Sequence, residues 1–193
     1  MTLVRTTIFG GSFNPIHNGH IRLSRHILDL GLTDEVWLLV SPQNPLKQKK
    51  GLLHEKLRLK LAKLALENEP HIHASDFEFS LPRPSYTWLT LRALHEKYPK
   101  RCFSLLIGAD NWLIFNQWAH ANDILENYQI LIYPREDYII NSKELPASVT
   151  LIKNAPIFPY SSTQIRQALK AGKDCSEMLP NIVARELTSL SFD

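Results

Sequence analysis

The sequence predicts a doubly wound α/β fold with a mainly parallel sheet, helices on both faces and a small C-terminal helical portion. Runs of β-branched and aromatic residues alternate with segments of helical periodicity along most of the 193 residues. The first two runs are separated by one short helical segment, and such a crossover joins parallel strands in a right-handed sense. In this fold, ligands are expected at the carboxyl ends of the strands.

Six strands are expected where short apolar runs end at turn residues. The first run ends at Gly10-Gly11 and the second at Ser41-Pro42. The expected strands are residues 3–9, 35–40, 72–79, 102–107, 128–133 and 149–152.

Four helices are expected, three between these strands at residues 18–30, 54–68 and 85–98, and one after them at residues 161–171. Asn18 and Ser85 are candidate N-caps, because their side chains can accept hydrogen bonds from free backbone N–H groups. Gly31 and Gly172 follow two of these helices, and glycine is the usual residue after a helix C-terminus.

The composition is that of an ordinary globular protein, with 44% hydrophobic and 21% charged residues. We expect a single domain over residues 1–193. A formal charge of +3 gives no argument for a nucleic-acid partner. Cys102 and Cys175 do not have zinc-ligand spacing, and the first apolar run is too short for a membrane span or signal peptide. Cytoplasmic residence and no membrane partner are therefore expected.

A candidate anion site follows the first strand, where Gly10, Gly11, Ser12 and Phe13 lead toward a helix. Small residues let backbone N–H groups approach phosphate oxygens, and a helix N-terminus adds partial positive charge. The loop lacks both the Walker A pattern and the dinucleotide-binding glycine pattern. It is a phosphate cradle of another type.

His17 and His20 lie three residues apart at the start of the first predicted helix. An isolated pair with this spacing is more often two satisfied surface histidines. Metal ligation is a further alternative, but no third ligand lies at a zinc-protease spacing and the flanking loop is glycine-rich. Contact with phosphate is therefore favoured over metal binding.

Two segments resemble the H-x-G-H nucleotidyltransferase superfamily, whose fold is Rossmann-like. Residues 11–20, GSFNPIHNGH, resemble its H-x-G-H signature, and residues 160–166, YSSTQIR, resemble its I-S-S-T-x-I-R motif with Tyr160 in place of isoleucine. Without the resemblance, residues 161–166 are a helix N-terminus with hydroxyl groups and one arginine, an ordinary capping arrangement. The resemblance makes them a second phosphate clamp.

Three middle segments are similar to bacterial nicotinate-nucleotide adenylyltransferases. These are residues 83–91, RPSYTWLTL, residues 107–111, IGADN, with Gln117-Trp118, and residues 41–47, SPQNPLK, in which Leu46 departs from the family pattern. Phosphopantetheine adenylyltransferases share the first and last motifs, but they typically have aspartate at the position of Asn14 and lack the middle segments.

Several residues of these middle segments also have possible structural roles that involve no ligand. Trp88 falls on the apolar stripe of its helix, so core packing is its favoured role. Trp118 is a stacking platform or packs against a neighbouring loop, with about equal support. Asp110 follows a strand end, where it binds a ribose or caps a helix. A lysine run such as Lys47, Lys49 and Lys50 is usually a solvated face, and only the motif match selects Lys47.

The resemblance implies transfer of AMP from ATP to nicotinate mononucleotide, with Mg²⁺ bound through the ATP phosphates and no metal site on the protein. It implies His17, His20 and Arg166 as catalytic residues. It also implies ATP-binding residues Gly10, Gly11, Ser12, Phe13, His17, His20, Asp110, Ser162, Thr163 and Arg166, and mononucleotide-binding residues Asn44, Lys47, Tyr86, Thr87 and Trp118. A homo-oligomer is left open.

Two other function classes are compatible with part of the pattern. A class I synthetase-like module also uses an H-x-G-H helix start, but it needs a second lysine motif and a much longer chain. A non-catalytic nucleotide sensor would keep the cradle without the chemistry. The presence of both histidines and Arg166 favours an enzyme.

Overall fold

A computed structural model describes residues 3–42 and 51–188. Its strands are β1 Val4–Gly11, β2 Glu35–Val40, β3 Ile72–Ser75, β4 Arg101–Gly108, β5 Gln129–Tyr133 and β6 Val149–Leu151. They form a six-stranded sheet in the order β3-β2-β1-β4-β5-β6. Every adjacent pair is parallel, so all six carboxyl ends lie at one edge.

The helices lie between and after the strands. They are α1 Asn18–Asp29, α2 Glu55–Ala65, α3 Thr87–Lys97, α4 Ala109–Trp112, α5 Ala121–Asn127, α6 Ser162–Lys170 and α7 Asn181–Thr188. Short 3₁₀ helices cover Phe77–Ser80, Phe115–Gln117 and Ser142–Glu144.

The core consists of two apolar layers, one on each face of the sheet. Alternate residues of a strand point to opposite faces, and in β4 Leu106 joins one layer while Leu105 and Ile107 join the other. Ile27 of α1 packs in the layer of Leu106, together with residues of α2, α6 and α7. Leu91 of α3 packs in the opposite layer with residues of α5. Helices on both faces of a parallel sheet confirm the doubly wound fold.

The sheet order creates a crevice between β1 and β4. From β1 the chain continues to β2 and β3 on one side, and it then returns to build β4, β5 and β6 on the other. Loops that leave β1 and β4 therefore diverge, and the space between them is the usual ligand position in this fold.

The prediction that Asn18 caps α1 is wrong, because His17 occupies the N-cap position and Asn18 is the first helical residue. The Asn18 side chain instead donates a 3.0 Å hydrogen bond to the carbonyl oxygen of Glu177. Its backbone N–H donates to Met178 at 2.8 Å. The start of α1 is thus fixed by a distant segment that the local pattern does not reveal.

The prediction that Ser85 caps α3 is also wrong, since the N-cap is Tyr86, which makes no capping bond through its side chain. The strand expected over residues 72–79 ends at Ser75. Asp76 leaves the extended conformation with ψ near 18°, and the Ser75 hydroxyl accepts a hydrogen bond from the Phe77 N–H. As an edge strand, β3 has only one neighbour to keep it extended.

Candidate functional site

A cavity of about 890 Å³ opens at the carboxyl edge of the sheet, over the crevice between β1 and β4. Its walls come from the ends of β1, β2, β4 and β5 and from the starts of α1, α3 and α6. The predicted site residues that line it are Gly10, Gly11, Ser12, Phe13, His17, His20, Tyr86, Thr87, Asp110, Trp118, Ser162, Thr163 and Arg166. The two remaining predicted residues, Asn44 and Lys47, lie outside the described residues.

The loop after β1 is held in shape by Phe13, which is buried and has a left-handed φ of 42°. This conformation is costly for a residue with a side chain, so the surroundings must impose it. The Phe13 ring packs edge-on against Phe9, with ring centroids 5.6 Å apart, and against His20 at 4.9 Å. A buried aromatic ring therefore fixes the backbone of the predicted phosphate cradle.

The two histidines form one stacked pair at the start of α1. Their ring centroids are 3.6 Å apart with an interplanar angle of 24°. The backbone N–H of His17 donates a 3.2 Å hydrogen bond to Nδ1 of His20. A Cβ atom at Gly19 would lie 3.0 Å from Nδ1 of His17, so glycine between the histidines makes room for the stack.

Burial first, and the nearby charge of Arg135 second, lower the pKa of His17 from its ordinary 6.5 to about 3. The side chain is thus a neutral imidazole near pH 7. Its partner, His20, accepts a hydrogen bond at Nδ1. A neutral His20 then carries its proton on Nε2, and that nitrogen is a donor.

The N-terminus of α6 closes one side of the cavity. Nη1 of Arg166 donates a 2.7 Å hydrogen bond to the carbonyl oxygen of Asn14, and Nη2 donates to the Thr163 hydroxyl at 3.3 Å. The Ser162 hydroxyl donates to the carbonyl oxygen of Pro15 at 3.0 Å. The two motifs at opposite ends of the sequence are therefore in direct contact.

Arg135 is a cavity residue that the sequence did not single out. Its Nε lies 2.9 Å from Oδ1 of Asp110, and its Nη2 donates a 2.8 Å hydrogen bond to the Tyr133 hydroxyl. A Cβ atom at Gly108 would lie 2.8 Å from Arg135 Nε, so the ion pair needs glycine there. Arg135 follows the carboxyl end of β5, and the strand-end rule that selected Asp110 could have found it too.

The opposite end of the cavity is lined by Tyr86, Thr87 and Trp118. Tyr86 is the N-cap of α3 and Thr87 its first residue, so free backbone N–H groups of the first helical turn lie at this wall. Trp118 is half-buried, with its ring 5.2 Å from that of Phe115, and its Nε1 atom is buried without a partner. Trp118 therefore packs against Phe115 and also lines the cavity, and stacking on a ligand stays a prediction.

The segment that contains Asn44 and Lys47 begins and ends on residues tied to the phosphate loop. Arg58 is completely buried, and its guanidinium donates hydrogen bonds to the carbonyl oxygens of Ser12, Ser41, Pro42 and Leu53. The Asn14 amide donates to Gly51 at 2.9 Å and accepts from the Leu53 N–H at 3.1 Å. Helical periodicity alone gave no signal for a buried arginine at position 58.

Within residues 3–42 and 51–188, no group of three or more histidine, cysteine, aspartate or glutamate side chains could hold a metal ion. Over the same residues, no helix is both long enough and apolar enough to cross a membrane.

Comparison with known proteins identifies the family. Residues 8–168 match the cytidylyltransferase-like family model. A Bacteroides fragilis protein named probable nicotinate-nucleotide adenylyltransferase is 44% identical over 187 residues, which cover 97% of this chain and 92% of that protein. A Bacteroides thetaiotaomicron protein of the same name is 50% identical over 171 residues, covering 89% and 84%. The chain belongs to the nicotinate-nucleotide adenylyltransferase family.

The architecture of the family is also found among solved structures. A Plasmodium falciparum nicotinic acid mononucleotide adenylyltransferase, solved in complex with NaAD, superposes with a TM-score of 0.80. At 20% identity over 96% of this chain and 95% of that one, the similarity shows a shared fold. The family match extends from β1 into α6 and so includes both ends of the cavity's phosphate wall.

Proposed function

We propose that this protein transfers AMP from ATP to the phosphate of nicotinate mononucleotide, giving nicotinate adenine dinucleotide and pyrophosphate. The observation that carries the proposal is one cavity with two different walls. One wall has stacked histidines, a helix N-terminus and Arg166. The other has the N-terminus of α3 and Trp118. Such a cavity suits two phosphorylated substrates that meet end to end.

The reaction is an in-line displacement at the α-phosphorus of ATP. A phosphate oxygen of the acceptor forms the new P–O bond, and the bond from the α-phosphorus to the bridging oxygen breaks, with its electron pair leaving on pyrophosphate. A phosphate dianion is already a nucleophile, so the site needs no general base and no covalent intermediate. Positioning and charge neutralisation do the catalysis.

Each group of the phosphate wall has a role in that step. The backbone N–H groups of Gly11 to Phe13 and the neutral imidazole of His17 would bind oxygens of the α-phosphoryl group. Nε2 of His20 would donate to the same group, because its Nδ1 is already an acceptor. Arg166, with Thr163 and Ser162, would hold the leaving pyrophosphate. The positive charge comes from Arg166, since a histidine with a pKa of about 3 supplies none.

Mg²⁺ bound through the ATP phosphates would neutralise part of the charge that moves onto pyrophosphate. The donor set fits this arrangement better than a protein-built cage, because the described carboxylates of the cavity do not form a metal-ligand cluster. Asp110 is already paired with Arg135 and is proposed to accept hydrogen bonds from a ribose.

The acceptor wall would bind the pyridine mononucleotide. Trp118 would stack on the pyridine ring, and backbone N–H groups near Thr87 and after Trp118 would bind the carboxylate. Lys47 is proposed to bind the phosphate of the mononucleotide, and Asn44 is proposed to line the acceptor pocket. Residues 1–193 act in this proposal as one catalytic domain, with small cytoplasmic metabolites rather than nucleic acid or membrane as partners.

The test is an acceptor screen that measures pyrophosphate release from ATP. Nicotinate mononucleotide is expected to be strongly preferred over its nicotinamide analogue. The amide lacks the charge-assisted hydrogen bonds of the carboxylate, and it turns its own N–H donors toward N–H donors of the protein. Equal kcat/KM for the two would refute the acid-specific pocket. Activity only with phosphopantetheine would refute the substrate, and no pyrophosphate with any acceptor would favour a nucleotide sensor.

A further inference from the structure

Glu78 is a buried carboxyl group in the wall of the cavity, within the 3₁₀ helix that follows β3. Only 6% of the residue is exposed. Its Oε1 atom lies 3.0 Å from the Thr90 hydroxyl, whereas Oε2 is buried without a hydrogen-bond partner. The nearby Ser85 hydroxyl is buried in the same wall.

The groups that face this carboxyl group are hydroxyls, from Ser41 after β2, Ser85 before α3 and Thr90 on α3. No ion pair joins Glu78 to a cation in the described part of the chain. Charged groups on the neighbouring elements are paired, bound to backbone or exposed. They are Arg58 on backbone carbonyls, Arg83 with Glu55, His73 with Glu35, and the exposed Asp76, Arg92, His95, Glu96 and Lys97.

Burial without a cationic partner among the described residues favours a neutral Glu78. The Thr90 hydroxyl lies 3.0 Å from Glu78 Oε1 and 3.3 Å from the Tyr86 carbonyl oxygen, and it has one proton for these two acceptors. A neutral carboxyl group would add a second proton to this cluster. Burial raises the pKa of Glu78 above its ordinary value and outweighs the hydrogen bonds from Ser41, Thr90 and Ser85, which lower it.

The position of this group matters because Tyr86 and Thr87 begin α3, where the acceptor's carboxylate is proposed to bind. A free helix N-terminus attracts an anion. An ionised Glu78 in the same water-poor wall would repel that anion, and a neutral Glu78 would not. An uncharged nicotinamide group would be little affected by either form.

We propose that Glu78 is a specificity-determining residue, whose neutral carboxyl group admits an anionic pyridine acceptor and whose ionisation lowers the preference for the acid over the amide. This inference rests on the proposed function and adds to it a residue that sets its substrate class. It predicts that acid selectivity depends on pH, although neither pyridine substituent titrates near neutrality.

The experiment measures kcat/KM for nicotinate mononucleotide and for nicotinamide mononucleotide from about pH 5, near the ordinary pKa of a carboxyl group, to about pH 9. The pH dependence of kcat/KM reports ionisations of the free enzyme. Both acceptors carry the same phosphate, so the titration of that phosphate cancels in the ratio. The acid-to-amide ratio of the wild-type protein is expected to fall by about tenfold or more as pH rises, because like charges strongly disfavour binding.

Two variants test whether Glu78 itself causes the pH dependence of the acid-to-amide ratio. Glu78→Gln has the same shape and cannot ionise, and it should keep the ratio that the wild-type protein shows at low pH across the whole range. Asp76→Asn is the matched control, because Asp76 is an exposed carboxylate two residues away on the same turn. Its ratio should follow that of the wild-type protein.

Three results would overturn the inference: a wild-type ratio that does not change with pH, a Glu78→Gln ratio that falls as the wild-type ratio does, or a Glu78→Gln protein that has lost acid preference at low pH. The wild-type profile decides even if Glu78→Gln does not fold, which circular dichroism would reveal. Absence of turnover with nicotinate mononucleotide at every pH would instead refute the proposed function.

Discussion

The proposed phosphate wall, residues 10–20 and 161–166, and the proposed acceptor wall, Glu78, residues 85–90 and Trp118, are built differently. The phosphate wall consists of two continuous sequence motifs that contact each other through Arg166 and Asn14, and several of its polar groups are bonded to one another, although Nδ1 of His17 is buried without a partner. The acceptor wall is assembled from short separate segments, and three of the described buried polar atoms without partners lie there, on Glu78, Ser85 and Trp118.

This difference suits a preorganised phosphate wall and an acceptor wall that recognises one particular ligand. Groups that are held in place before substrate arrives can stabilise a transition state without moving, which suits the wall that meets the α-phosphoryl group. Groups that lack partners gain the most from one matching ligand and penalise a mismatched one. We therefore expect substitutions in the phosphate wall to act mainly on kcat or ATP, and those in the acceptor wall on the pyridine substrate.

The largest effect is expected from His20→Ala. Loss of a donor that strengthens its contact as charge develops should lower kcat by about 100-fold to 1,000-fold, with little change in ATP affinity. Steady-state kinetics and direct ATP binding measure the two quantities. His95→Ala, an exposed histidine on α3, is the control and should be silent. A His20→Ala protein with near-normal kcat would remove His20 from the mechanism.

Arg166→Ala should come next, with the KM for ATP raised about tenfold, since the lost contacts are charge-assisted hydrogen bonds. The KM for the mononucleotide should rise less, because the link from Arg166 to Gly51, which follows the segment with Asn44 and Lys47 in the sequence, is indirect and runs through Asn14. Lys170→Ala, an exposed cation near the end of the same helix, tests for a general charge effect. Equal increases in both KM values would show that the two walls are not independent.

A smaller effect is expected from Trp118→Ala. Loss of ring stacking worth about 1 kcal/mol should raise the KM for the pyridine mononucleotide about fivefold and leave that for ATP unchanged. Trp118→Phe retains an aromatic face and should recover most of the affinity. If Trp118→Ala instead loses its native circular dichroism, the tryptophan serves the core rather than the ligand.

A separate measurement concerns stability, for which the two walls should respond to pH in opposite directions. The folded protein keeps His17 neutral with a pKa of about 3, whereas the unfolded chain takes up a proton near 6.5. Its contribution to stability is therefore lost as pH falls below about 6.5, by up to about 1.4 kcal/mol per pH unit. Glu78 has a raised pKa, so its contribution is lost as pH rises from 4.5 through the folded value.

Urea unfolding at several pH values measures both slopes. His17→Asn replaces the imidazole with a good N-cap residue that does not titrate, and it should flatten the acid side only. Glu78→Gln should flatten the opposite slope, which begins at pH 4.5 and therefore overlaps the His17 window up to about 6.5. The assignment of opposite slopes to the two walls would fail if either variant changed the slope assigned to the other residue, or if His17→Asn left the loss of stability toward acid pH as steep as before.

Prediction from the sequence worked best where the structure depends on residues that are close in sequence. Residues 35–40 were assigned to a strand with the bounds that the structure has, and the ends of α1 and α6 at Gly31 and Gly172 follow from left-handed backbone that glycine adopts readily. The motif residues that line the cavity could be selected because each motif is contiguous. The N-caps at Asn18 and Ser85 failed because tertiary contacts decided where those helices begin.

The sequence by itself therefore determined the alternation of strands and helices, the faces that become buried and the phosphate motifs, all of which depend on local periodicity and backbone preference. The tertiary structure decided how the charged and ionisable side chains are paired. Arg135 meets Asp110, Arg58 binds the carbonyl oxygens of Leu53 and Pro42, and Glu78 lies among the hydroxyls of Ser41, Ser85 and Thr90. The physical reason is that burial and pairing of a charge depend on residues tens of positions away, which only the folded sheet brings together.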